Sequence, residues 1–203
     1  PAAPVDDGAD SCASSRYFKP RFSLIKSMNL ETNLAGRLRN THLPLTNGLL
    51  PLFEAVVNSI HAIEEASVAA QDGLIRVEIL RKQKEKELNL DEAKRRGPET
   101  WEDILGFRVT DNGVGFNDVN MKSFQLLDTD HKVAKGGRGI GRLLWLKCFK
   151  RVNVESVFQA DGAGLKRRTF IFNAHSGVED ENVSEVNGAA RPLTVVHLDD
   201  FHP

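Results

Sequence analysis

From Leu49 to about Ala70, apolar residues recur at helical spacing. Leu49, Leu52, Phe53, Val56, Val57, Ile60 and Ile63 form one wide stripe, which predicts a long amphipathic helix with that stripe against the core. Leu30 to Leu38 also has helical spacing, and Thr41 to Gly48, with Pro44, reads as a connector. Phe18 to Met28 reads as a strand or an arm. After Gly73 the period changes to two: Leu74 to Leu80 alternates as a strand, and Ile104 to Thr110 forms a second, with Phe107 and Val109 on one face. Asp118 to Leu127 reads as a short helix, followed by a polar loop from Asp128 to Lys135. Gly136 to Gly141 is rich in glycine and leads into an apolar helix, Arg142 to Phe149. Three strand-like runs follow, at Arg151 to Phe158, Leu165 to Phe172 and Leu193 to Leu198. Strands and helices do not alternate strictly, which argues against a doubly wound parallel sheet. The order predicts an α+β two-layer sandwich, with a mixed, mostly antiparallel sheet and helices packed on one face.

Composition narrows the class without naming it. The chain of 203 residues suits one domain with tails. Residues 1 to 16 are small and polar and read as a disordered tail, leaving a single domain over 17–203. Lys82 to Arg96 is a charge run and reads as a solvated insertion near 82–103. With 40% hydrophobic and 27% charged residues and a net charge of −1, the chain reads as soluble and has no global basic field. Contact with nucleic acid is therefore expected only through domains outside it. Cys12 and Cys148 show no metal-binding spacing and point to a reducing, cytoplasmic setting, with Cys148 as a core residue. No stretch has the length of a membrane span, and the first residues do not form a signal peptide. A start without Met, and an end just after a strand-like run, lead us to expect the N-terminal part of a longer protein.

Four groups of residues carry candidate chemistry. Glu54, Asn58 and His61 lie at i, i+4 and i+7 on one helix face, bordering the apolar stripe. An amide oxygen suits magnesium, and a carboxylate can take a proton from water. Asp111-Asn112-Gly113-Val114-Gly115-Phe116 ends the second strand, and alternation puts Asp111 on the face of Phe107 and Val109, as a buried acceptor suited to the amine of a base. Lys135-Gly136-Gly137-Arg138-Gly139-Ile140-Gly141 runs into a helix, where free backbone N–H groups and the helix dipole favour an anion, with Lys132, Lys135 and Arg138 adding charge. Thr194 shares an inward strand face with Val196 and Leu198. Each group alone also fits a plainer reading: the polar edge of a helix, a hairpin turn, a glycine-rich loop, a routine strand threonine.

Taken in order, Glu-x-x-x-Asn on a helix, Asp-x-Gly-x-Gly after a strand, Gly-x-Gly-x-Gly opening a helix and a Thr-bearing strand resemble the nucleotide-binding motifs of the GHKL ATPases, the superfamily of gyrase, the large heat-shock chaperone, histidine kinases and MutL, with its Bergerat-type fold. The resemblance spans roughly Leu45 to Phe201. It implies ATP and magnesium as cofactors, with Asn58 holding the ion. It implies that Asp111 bonds the adenine amine directly and through a water shared with Thr194. Gly113 and Gly115 then shape the adenine pocket, residues 128–135 form a lid with Lys132 and Lys135, and Gly137, Arg138, Gly139, Ile140 and Gly141 wrap the phosphates. Glu54 stands where the hydrolysing branches carry their general base and histidine kinases do not, so hydrolysis is the expected reaction. Phosphotransfer of the histidine-kinase type and a non-hydrolysing nucleotide-binding module are the alternatives. His61 departs from the Asp frequent in the chaperone and MutL branches. In the gyrase and MutL branches a lysine from the following domain reaches the terminal phosphate, so turnover in isolation is expected to be slow. The implied role is a conformational switch with an ATP-dependent homodimer, acting on C-terminal domains for DNA handling, chaperoning or defence.

Overall fold

The structure is a computed structural model that describes residues 33–82, 102–126, 141–162 and 164–202. Helix α1 (Leu34–Asn40) and a single 3-10 turn (Leu45–Asn47) lead into α2 (Leu50–Glu65). Strands β1 (Ile75–Arg81) and β2 (Ile104–Asp111) follow, then α3 (Asp118–Gln125) and α4 (Gly141–Cys148). Four strands come next: β3 (Phe149–Gln159), β4 (Leu165–Asn173), β5 (Gly177–Glu185) and β6 (Leu193–Phe201). The six strands form one sheet in the order β1-β2-β6-β3-β4-β5, antiparallel at every pair. Helices α2 and α4 pack on it and on each other, giving the α+β two-layer architecture that the sequence predicts.

Strand register organises the helix-facing side into rungs, because directly opposed residues share a face. Phe107, Leu198, Val152 and Phe172 form the first rung across β2, β6, β3 and β4. Val109, Val196, Val154 and Phe170 form the second. All eight are buried and make up most of the core, with Trp145, Leu146 and Phe149 brought in by α4 and the start of β3. Two residues further along the strands, the third rung changes character: Asp111, Thr194, Ser156 and Arg168. These four are buried as completely as the apolar residues. The opposite face is polar; Arg108, His197 and Asn153 stand in register there, and Arg108 pairs with Glu78 at 3.4 Å.

Two features depart from the sequence reading. The α2 stripe does not face the core as a whole. The buried residues of α2 are Pro51, Ala55 and Ser59, whereas Phe53 (59%) and Ile60 (43%) are exposed and Val57 (43% exposed) borders the cleft. The cause is close approach, since α2 lies against both α4 and the turn after β2, where only small side chains fit. Helix α2 also stops at Glu65, short of Ala70, and the chain turns at Ser67 with φ 54°. The second departure is β5, an additional strand that its sequence Gly-Val-Glu-Asp-Glu-Asn-Val-Ser-Glu does not announce. It pairs with β4 at the sheet edge and is largely exposed, and charged side chains are ordinary on such an edge. The other elements lie within a few residues of their predicted spans. Residues 1–32, with the tail, the 18–28 segment and Cys12, lie outside the described residues. So do residues 83–101, which hold all of the charge run after Lys82.

Candidate functional site

The third rung is the floor of a cleft. Asp111 is 3% exposed and Thr194 3%, and they face each other across β2 and β6. Asp111 Oδ2 accepts from the Ser59 hydroxyl at 2.8 Å and Oδ1 from the Gly113 N–H at 2.9 Å. Each oxygen keeps a lone pair for a further donor. Burial pushes the Asp111 carboxyl above the usual carboxylate range, against the opposing pull of the Gly113 N–H and the Ser59 hydroxyl. Thr194 shares a hydroxyl–hydroxyl bond of 2.9 Å with Ser156, whose oxygen also accepts from the Phe116 N–H at 2.9 Å.

Helix α2 forms one wall. Its turns bring Glu54, Asn58, His61 and Glu65 to the cleft, one turn above the next, with Ser59 reaching the floor. Among the described residues, the amide of Asn58 has no hydrogen-bond partner and Glu54 has no cation. The opposite side is made by Phe116 and by Asn120, Ser123 and Phe124 of α3, and the far end by Gly141, Arg142 and Trp145 of α4. The whole encloses about 1150 Å³, counting its open mouth.

The glycines serve different contacts. Gly115 has φ +74°, and a Cβ there would lie 2.6 Å from Ser156 Oγ and 3.3 Å from Thr194 Oγ1, so only glycine keeps that stretch of the floor open. At Gly113, by contrast, a Cβ would meet the backbone of Ala62 at 2.5 Å. Its bareness docks the loop on α2, helped by the Val114 N–H donating to Ala62 O at 3.0 Å. Gly141 meets Glu54, because a Cβ there would lie 2.2 Å from Oε2, so the end of the glycine-rich run abuts the carboxylate.

The cleft thus gathers Glu54, Asn58, Asp111, Gly115, Gly141 and Thr194, from four separate stretches of sequence, with Gly113 behind them. Lys132, Lys135, Gly137, Arg138, Gly139 and Ile140 lie outside the described residues, as does the 128–135 loop. Sequence reasoning missed Ser59, Ser156, Arg142 and Arg168. Ser59 stands four residues after Ala55 on the buried face, and Ser156 and Arg168 take inward positions in alternating strands, which is the one signal they leave. Arg142 donates to Ser123 O at 3.2 Å and to Leu126 O, and its guanidinium lies 5.2 Å from the Phe124 ring, so the first turn of α4 is tied to the last turn of α3. Among the described residues, no group of three or more His, Cys, Asp or Glu side chains forms a metal cluster, and no helix is long and apolar enough to cross a membrane.

No known protein family and no curated protein sequence matches the chain. Among solved structures, it is similar to the ATPase region of Saccharomyces cerevisiae topoisomerase II, at 17% identity over 77% of this chain and 38% of that one, with a TM-score of 0.47. The same region bound to ICRF-187 (dexrazoxane) is similar at 16% identity over 76% and 38% of the two chains, also with a TM-score of 0.47. The chain therefore spans less than two fifths of the length of those chains.

Proposed function

We propose that this chain binds ATP with magnesium in the cleft and hydrolyses it slowly, as the ATP-binding domain of a GHKL-type conformational switch. The observation that carries the reading is the pairing of a buried Asp111 with Thr194 on the cleft floor, beside the bare Cα of Gly115. A buried carboxylate with unused lone pairs calls for a donor, and the exocyclic amine of a flat adenine ring supplies one. Gly115 lets the ring lie close to the backbone.

Asn58, half-buried in the wall and without a partner among the described residues, suits the amide-oxygen ligand of a magnesium ion. Bound there, the ion would neutralise charge on the phosphates. Glu54 is the proposed general base: without a cation partner among the described residues and held against Gly141, it is available to orient a water and take its proton. Glycines 137, 139 and 141 are the proposed phosphate loop, Gly113 and Gly115 frame the base, and Lys132, Lys135, Arg138 and Ile140 belong to the region that closes over the phosphates. The proposed output is an ATP-dependent homodimer that acts on further domains.

The test is calorimetric titration of the chain with ATP, with and without magnesium, beside Glu54→Gln and Asp111→Asn. We expect magnesium-dependent binding in the wild type, retained in Glu54→Gln and lost in Asp111→Asn. We expect turnover to fall by about 10²- to 10⁴-fold in Glu54→Gln. No binding by the wild type refutes the nucleotide reading. Binding with unchanged turnover in Glu54→Gln refutes the role of Glu54 and favours a phosphotransfer reaction.

A further inference from the structure

Arg168 ends the polar rung. It is 5% exposed and stands on β4 where the neighbouring rungs carry Phe170 and Phe172. A guanidinium on a core face must find compensation for lost water. Here the compensation is directed at one piece of backbone. Nη1 donates to the Phe116 carbonyl and Nη2 to Asp118 Oδ1, each at 2.5 Å, and the guanidinium carbon lies 5.1 Å from the Phe158 ring centroid. Nε stands 3.0 Å from Glu181 Oε1, near enough for charge attraction although its N–H does not point at that oxygen. The neighbour of Arg168 on the rung, Ser156, takes the Phe116 N–H. Both polar backbone groups of Phe116 are thus held by the rung, and Asp111 holds the Gly113 N–H at the other end of the same loop.

Hydrophobic residues of similar volume often replace buried ion pairs without loss of stability, so core stability alone gives no reason for an arginine here. A rigid fork that fixes a carbonyl and a carboxylate at once does give one. We propose that Arg168 is a positioning residue of the cleft. Through Phe116 and Asp118 it fixes the 111–116 loop and the first turn of α3 against the sheet, and so sets the shape of the base-binding end without touching the ligand. The proposal rests on the reading of the cleft as a nucleotide site. Arg168 is absent from the cleft lining, whereas Phe116, which it holds, is part of it.

The experiment compares wild type, Arg168→Met and Arg168→Lys, measuring Kd for ATP and for adenosine by calorimetry and amide hydrogen exchange at Phe116, with thermal unfolding to establish that each variant is folded. Because the loop serves the base and not the phosphates, Arg168→Met should weaken both ligands by the same factor. That factor should be about 10-fold or more, since the loop must then be ordered on binding. Phe116 exchange should quicken, and Arg168→Lys, which keeps one charged donor, should fall between. A folded Arg168→Met with unchanged affinity, or with ATP weakened but adenosine not, overturns the proposal. If Arg168→Met does not fold, Arg168→Lys and Asp118→Asn decide: faster Phe116 exchange with weaker adenosine binding supports the role, and unchanged affinity removes it. If the wild type binds neither ligand, the nucleotide reading fails first, and exchange at Phe116 alone decides the clamp, with unaltered exchange in the variants overturning it.

Discussion

At the scale of single residues, the buried floor of the cleft carries a cost in stability. Desolvation, as the main cause, raises the Asp111 carboxyl above the ordinary range. A raised folded-state value means that the native protein holds its proton more tightly than the unfolded chain does. The favourable contribution is therefore complete below the unfolded value of 3.8 and is lost as pH rises through the folded value. Asp111→Asn removes that loss while keeping an oxygen for the Gly113 N–H. We expect its urea midpoint at pH 7 to equal or exceed that of the wild type, the difference closing as pH falls below 4, while ATP binding disappears. A variant less stable than the wild type at pH 7 would show that the carboxylate is a net stabiliser. Gly115→Ala makes the opposite point, because it places a methyl group 2.6 Å from Ser156 Oγ at a φ of +74°. Strain of this kind costs on the order of 1–3 kcal/mol, readable as a lowered unfolding midpoint.

At the scale of elements, α2 shows what pattern reading captures and what it does not. Its apolar stripe marks the helix correctly, but hydrophobicity alone does not say which part of a wide stripe meets a neighbour. The closest packing falls to small residues: Ala55 and Ser59 are the buried ones beside Pro51, and Ala62 takes the 113–114 turn. We expect Ala55→Leu to destabilise by about 1–3 kcal/mol through overpacking. Phe53→Ser, on the exposed side, should change unfolding by roughly 0.5 kcal/mol or less. Equal effects in urea denaturation would mean that the outward face is covered. Strand β5 was illegible for a different reason: an edge strand gains its order from β4, through backbone pairing, and its side chains are largely exposed. The parity of β2 and β6 was legible, and so were the inward positions of Asp111 and Thr194. Their partners were not, since nothing in an isolated Ser156 or Arg168 announces that three strand pairings will align it with them.

At the scale of the whole molecule, the buried rung crosses the four inner strands of the sheet and ends on the ion pair of Arg168 with Asp118. Asp118 is held below the ordinary carboxylate range by its hydrogen bond from Arg168 and by the charge of that guanidinium. A lowered folded-state value contributes stability that is present above 3.8 and lost as pH falls through the folded value. We expect Asp118→Asn to flatten the decline of the urea midpoint below pH 4 compared with the wild type. An identical slope would show that the pair, with Asp118 largely exposed, adds nothing to acid sensitivity.

The position of β6 has a consequence for how the molecule comes into being. It is the last of the described strands, yet it lies between β2 and β3, pairing with both. A chain emerging from the ribosome can make the β1–β2 and β3–β4 hairpins early, but these remain separate pieces with open inner edges until residues 193–201 arrive to join them. The floor of the cleft is assembled at that same moment, since Thr194 is the residue that stands between Asp111 and Ser156. Assembly of the cleft floor and completion of the sheet are therefore a single event, and a product halted before Leu193 would leave the inner edges of β2 and β3 open to pair with the wrong neighbour.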